Sequence, residues 1–139
     1  MLRATLEIYC DGGARGNPGP AACAFVAIKN GQVVFKVAKF LGVTTNNIAE
    51  YNAVLLAFTW LANNIDDSLK NIQVILDSEL VSRQLSEKYR VKNKGLRNIF
   101  EKIKKMEKAF SIPIFYSYVP RNKNKLADFL VNKTLDEKF

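Results

Sequence analysis

The sequence predicts an α/β fold: a five-stranded mixed sheet, three strands antiparallel and then two parallel, flanked by helices on both faces. Three observations carry that prediction. The first part of the chain is a series of apolar strand-like runs broken by turn signals, Asn30-Gly31 above all, as in an antiparallel meander. The apolar period then changes to that of a helix after Thr45. Beyond it, short apolar runs alternate with amphipathic stretches, as parallel strands and their crossovers do.

The elements follow in order. "RATLEIYC", residues 3–10, reads as a first strand halted by the glycine turn of "DGGARGNPGP". "ACAFVAIKN" is a second strand, Asn30-Gly31 a hairpin, and "QVVFKVAKFLG" a third strand. "NNIAEYNAVLLAFTWLANN" is helical, with Ile48, Val54, Leu55, Phe58, Leu61 and Ala62 on its period. "NIQVILD" is nearly all apolar, as a parallel strand covered on both faces must be. A helix is expected from Ser78 to about Tyr89, then a basic connection, "YRVKNKGLRN". Leu96, Ile99, Phe100, Ile103 and Phe110 mark another amphipathic helix. "IPIFYSYV" is the fifth strand and "NKNKLADFLVNKTLDEKF" the closing helix. No internal repeat or linker is visible.

The length of 139 residues fits one domain, and a single domain over 1–139 is expected. An apolar fraction of 48% supplies a core. No apolar run approaches the roughly 20 residues of a membrane span. The N-terminal residues run straight into a strand and show no polar cleavage region, so a cytoplasmic protein is expected, and a monomer. Cys10 and Cys23 sit in no CxxC pair and read as buried free thiols. There is no histidine, which removes His-based triads, His general bases and most zinc sites. The formal charge of +8 suggests a polyanionic partner.

Four carboxylates stand apart from the other acids. Asp11 ends the first strand and Asp77 the fourth. In open α/β sheets ligands gather beyond the carboxyl ends of parallel strands, so neighbouring strands would place these two side by side. Glu50 shares a helix stripe with Ala53, Val54, Ala57 and Leu61, and Asp128 shares one with Val131 and Leu135. Those are the wrong faces for solvated charges. Each acid also has an ordinary local use. Asp11 suits the turn, Asp77 can cap the helix at Ser78, and Glu50 can close a capping box begun by Asn47. Asp128 can be an exposed helix charge. Taken together, crowded carboxylates repel and raise one another's pKa. A divalent cation relieves this, and oxygen-only ligands suit Mg²⁺ or Mn²⁺.

"DGGARGNPGPAACAFV", "TTNNIAEYNAVLLAF", "LDSELV" and "VPRNKNKLADFLVNKTL" together resemble type 1 ribonuclease H, in order and with similar spacing from the first strand to the last helix. The resemblance implies a metal site of Asp11, Glu50, Asp77 and Asp128. It implies cleavage of the RNA strand of RNA–DNA hybrids with two Mg²⁺ (or Mn²⁺) ions, leaving 5′-phosphate and 3′-hydroxyl ends. Two ions roughly 3.5–4 Å apart suit that displacement without a histidine base. Asp11, on the most central strand, is the natural bridge between them.

The same resemblance places Gly12 and Ser78 at the nucleic acid, and Asn17, Asn46 and Asn47 in its minor groove. It gives Thr45, with the backbone amide of Asn47, a DNA phosphate at the helix start. Turn chemistry for Asn17 and helix capping for Asn46 or Asn47 remain the local alternatives. Two departures stand out. Many family members carry a mobile histidine before the last acid, where this chain has "PRNKNK"; Arg121, Lys123 or Lys125 is a candidate phosphate contact there. Many also carry a long basic protrusion, where this chain has only "KYRVKNKGLR", with Lys88, Arg90, Lys92, Lys94 and Arg97 as a reduced handle or a solvated loop. Glu79 stands where many members have a neutral polar residue. Trp60 reads as core. Double-stranded RNA remains open as a second substrate. The rival readings are a silent hybrid- or RNA-binding module and a flavodoxin-like phospho-acceptor using Asp77.

Overall fold

The computed structural model describes residues 2–138. Its sheet contains β1 (Ala4–Ala14), β2 (Gly19–Lys29), β3 (Gln32–Thr44), β4 (Leu69–Leu76) and β5 (Ile114–Tyr118). The strand order is β3-β2-β1-β4-β5. β1, β2 and β3 pair antiparallel, while β4 runs parallel to both β1 and β5. That is the ribonuclease H arrangement the sequence predicts, and the antiparallel meander rules out the flavodoxin-like alternative.

The helices are α1 (Asn46–Leu61), α2 (Glu79–Leu85), α3 (Lys94–Ala109) and α4 (Lys125–Lys138). Period-two alternation sends Leu6, Ile8 and Cys10 of β1 to one face. There they join Tyr51, Val54, Phe58 and Leu61 of α1, Val81 and Leu85 of α2, and Ile103 of α3 in the main core. Each fully buried aliphatic or aromatic side chain contributes about 1.5–3 kcal/mol. α4 covers part of the opposite face, setting Val131 and Leu135 against Ala22 and Ala24. Cys10 and Cys23 are buried and free, as expected. Trp60 packs at the core's margin, its ring stacked on Phe35 at 5.1 Å. No helix among the described residues is long and apolar enough to cross a membrane.

Most strand and helix ends shift from expectation by one to three residues, and four regions differ in a way that bears on the site or its neighbours. The first strand does not stop at the glycines. Gly12, Gly13 and Ala14 stay in register with Cys23, Ala22 and Ala21, and the turn comes at 15–18. The cap of α1 is Thr45, whose hydroxyl accepts from the N–H of Ile48 at 3.2 Å. Neither Asn46 nor Asn47 caps that helix, and Glu50 lies past its capping-box position. The second helix ends at Leu85 rather than near Tyr89. Glu87 takes φ +65, and the N–H groups of Lys88 and Tyr89 both close onto the carbonyl of Arg83. The closing helix is preceded by a separate 3₁₀ turn, Arg121–Lys123, and its expected last residue, Phe139, lies outside the described residues.

Candidate active site

The parallel pairing of β1 with β4 runs through Tyr9–Ile75 and Cys10–Leu76. Asp11, still within β1, and Asp77, the first residue past β4, therefore follow side by side. Here β4 ends and β1 continues only against β2, which opens a crevice at the carboxyl edge. α1 delivers Glu50 to this edge because its backbone lies directly on β1. A Cβ on Gly12 would come within 2.2 Å of the carbonyl carbon of Ala49 and 2.5 Å of the nitrogen of Glu50. The glycine is required by that helix-on-strand contact. α4 supplies Asp128 from its first turn, with Val131 and Leu135 buried beneath it as the spacing predicts.

The result is a polar cleft of about 500 Å³ lined by Asp11, Glu50, Asp128, Arg121, Asn46 and Asn47, among others. Asp77 is not among the lining residues; its Oδ2 accepts from the Nδ2 of Asn124 at 3.2 Å. The four acids share one field. Burial, then Asp77 and Asp128, push the Asp11 carboxyl up to about 7. Burial, then Asp77 and Asp11, push Glu50 up to about 8. Asp77 is also raised, by burial first, with the Asn124 hydrogen bond and Arg121 opposing. The Arg121 guanidinium draws Asp11, Glu50 and Asp77 back toward ionisation.

These groups fit a hard divalent cation. The donors are all oxygen, and Oε2 of Glu50 is buried with no hydrogen-bond partner among the described residues. Among the described residues no three Asp, Glu, Cys or His side chains are placed to hold a metal ion by themselves. Mg²⁺ does not need an all-protein cage. It keeps several waters and uses one or two carboxylates together with substrate phosphate.

The amides are arranged around the glycine loop. Asn17 Oδ1 accepts from the N–H of Asn46 at 3.0 Å, and Asn46 Oδ1 accepts from the N–H of Ala14 at 2.8 Å. Arg15, in the same loop, is anchored to α4 by Asp136 at 2.6 Å. Thr45 and Ser78 both spend their hydroxyls on helix caps, Ser78 accepting from the N–H of Val81 at 3.2 Å. Lys92 and Lys94 are exposed and lie outside the cleft lining. Their segment still sits beside the start of α1, since a Cβ on Gly95 would meet Ile48 at 4.0 Å. Glu79 forms an ion pair with Arg83 at 2.9 Å rather than joining the four acids. Sequence reasoning missed Arg15 and, above all, Asn124. The available signal was an uncharged amide amid lysines, four residues before Asp128.

The sheet order and the acid-lined edge define a protein of the ribonuclease H-like class. A family model described as reverse transcriptase-like matches residues 9–134, and the chain belongs to that family. Among solved structures, it is similar to LC11-RNase H1, isolated from compost by a metagenomic approach and solved in complex with an RNA/DNA hybrid. The TM-score is 0.89 and the identity 36%, over 96% of this chain and 98% of that one. It is 35% identical over 133 residues to Ribonuclease HI of Halobacterium salinarum, covering 95% of this chain and 65% of that protein. It is 33% identical over 135 residues to the bifunctional protein Rv2228c of Mycobacterium tuberculosis, covering 93% of this chain. The chain spans about a third (35%) of the length of that mycobacterial relative.

Proposed function

We propose that this chain is an endoribonuclease that hydrolyses the RNA strand of RNA–DNA hybrids, leaving 5′-phosphate and 3′-hydroxyl ends. The observation that carries the reading is that Asp11 and Glu50 are buried within reach of other acids' charges, Asp77 and Asp128 acting on Asp11, and Asp77 and Asp11 on Glu50. Buried acids raised to about 7 and about 8 gain nothing for the fold. They are explained if a cation takes the place of protons. The similarity to LC11-RNase H1, a protein solved with a hybrid, supports the same substrate here.

In this reading the four acids hold two Mg²⁺ or Mn²⁺ ions. Once bound, such ions acidify the attacking water and neutralise charge on the leaving oxygen. Arg121, exposed at the cleft, attracts the scissile phosphate. Asn17 and Asn46 face the minor groove with their NH₂ groups. Recognition then rests on groove width and 2′-hydroxyls rather than on sequence. The short link over residues 86–93, bearing Lys88, Arg90 and Lys92, serves as a reduced handle for the backbone, in place of a long basic protrusion.

Matched hybrid, double-stranded RNA and DNA duplex, incubated side by side in Mg²⁺ and in Mn²⁺, test the proposal. Cleavage of the RNA strand of the hybrid is expected, and its loss in Asp11→Asn and Asp77→Asn proteins that remain folded. Full activity in either variant would sink the assignment. Binding without cleavage under both metals would favour a silent binding module.

A further inference from the structure

Asn124 lies between the 3₁₀ turn and α4 and is 1% exposed. Its sequence neighbours Lys123 and Lys125 are both exposed. The Nδ2 of Asn124 donates to the carbonyl of Cys10 at 2.8 Å and to Oδ2 of Asp77 at 3.2 Å. A carbonyl and a carboxylate only accept, so the amide cannot be turned round. Its Oδ1 is thereby buried with no partner among the described residues. An unpaired buried amide oxygen opposes folding, so stability alone does not account for the residue. Its backbone carbonyl also accepts from the N–H of Asp128 at 3.1 Å. One neutral residue thus touches the strand just before Asp11, the carboxylate of Asp77 and the backbone of Asp128. It supplies donors without adding a charge to the acid cluster.

We infer that Asn124 is a positioning residue for the cation-binding acids: it holds one oxygen of Asp77 and ties the first turn of α4, with Asp128, to the end of β1. The inference rests on the proposed metal-dependent activity. Groups that orient metal ligands from behind cost roughly 10–100-fold in metal affinity when removed. A side chain free to rotate must be ordered anew each time a cation binds.

The test is Mn²⁺ binding by the full chain, read from the paramagnetic resonance of free and bound Mn²⁺ and by calorimetry, well below each protein's melting temperature. Asn124→Ala is expected to weaken Mn²⁺ by about tenfold or more while circular dichroism shows a folded protein. Asn124→Ser, whose hydroxyl can still donate, is expected to recover part of the loss, and it carries the measurement if the alanine variant does not fold. In an Asp77→Asn background the Asn124→Ala effect should shrink, because the carboxylate it orients is gone. Parental Mn²⁺ affinity in a folded Asn124→Ala protein overturns the inference, as does an equal loss in both backgrounds. A parent chain that binds no Mn²⁺ refutes the cation site itself, and the inference with it.

Discussion

Asn17 accepts a hydrogen bond from the backbone N–H of Asn46 at 3.0 Å, and this contact fixes what Asn17 can offer a ligand. A backbone N–H only donates, so the oxygen of Asn17 must face it and the NH₂ must face away. Asn46 is oriented in the same sense by the N–H of Ala14 at 2.8 Å. Both amides therefore present donors alone. The minor-groove edge of every base pair carries acceptors, so on the proposed function two donors placed there would read the groove with little base preference. Asn17→Asp keeps the oxygen that holds Asn46 and removes the donors. Expected is hybrid binding in Ca²⁺ weakened by about tenfold, with the melting temperature of the free protein unchanged. Equal affinity would show that Asn17 serves the turn only.

Asp11 should make the metal-free protein less stable as pH rises. Its carboxyl lies at about 7 in the folded chain, against an ordinary 3.8. The folded state thus binds the proton more tightly than the unfolded state. That contribution is fully present below about pH 4 and is lost as pH climbs through about 7. Glu50, at about 8, extends the loss. Asp11→Asn is expected to stabilise the EDTA-treated protein near about pH 8 by up to a few kcal/mol, and not at all near about pH 4. Urea unfolding across that range measures it. A gain that does not change with pH would contradict a strained acid cluster.

Cation binding should reverse this strain. At a free Mn²⁺ concentration about a hundred times its dissociation constant, the parent is expected to gain about 2.7 kcal/mol. Glu50→Gln removes a carboxylate whose Oε2 is buried without a partner. It should raise the stability of the metal-free protein near about pH 8, cut the Mn²⁺-linked gain, and abolish hybrid cleavage. Thermal melts with and without Mn²⁺ separate these effects. An undiminished Mn²⁺ gain would remove Glu50 from the site.

The two adjacent glycines of β1 should differ sharply in their tolerance of alanine. At Gly12 the added Cβ would lie 2.2 Å from the backbone of Ala49, whereas at Gly13 the nearest atom is 3.9 Å away. Gly12→Ala must push α1 off the strand and is expected to cost about 1–3 kcal/mol or more, with activity falling as Glu50 moves. Gly13→Ala should be nearly neutral. Comparable melting temperatures for the two variants would count against close packing as the reason for Gly12.

Local pattern was enough for the order of the elements and for the inward faces of α1 and α4. The inward stripe beside Glu50 was visible because Ala53, Val54, Ala57 and Leu61 repeat at helical spacing, and all four are buried. The adjacency of Asp11 and Asp77 followed from the expectation that their strands are parallel neighbours, which the Cys10–Leu76 register bears out. Periodicity reports which way a side chain points on its own element, so it serves such residues well. It says nothing about contacts made across the chain. That is why the β1 glycines read as a turn, although their place in the strand depends on pairing with β2 and on α1 packing against Gly12.

Sequence by itself therefore determined the element types, the apolar faces and, with the family resemblance, the four acids. Tertiary structure decided which groups support those acids. Asn124 reaches Cys10 across 114 positions of the chain, and Arg15 reaches the backbone of Asn132 across 117. Contacts of that separation leave no local period, because their geometry exists only once β1, β4 and α4 have packed.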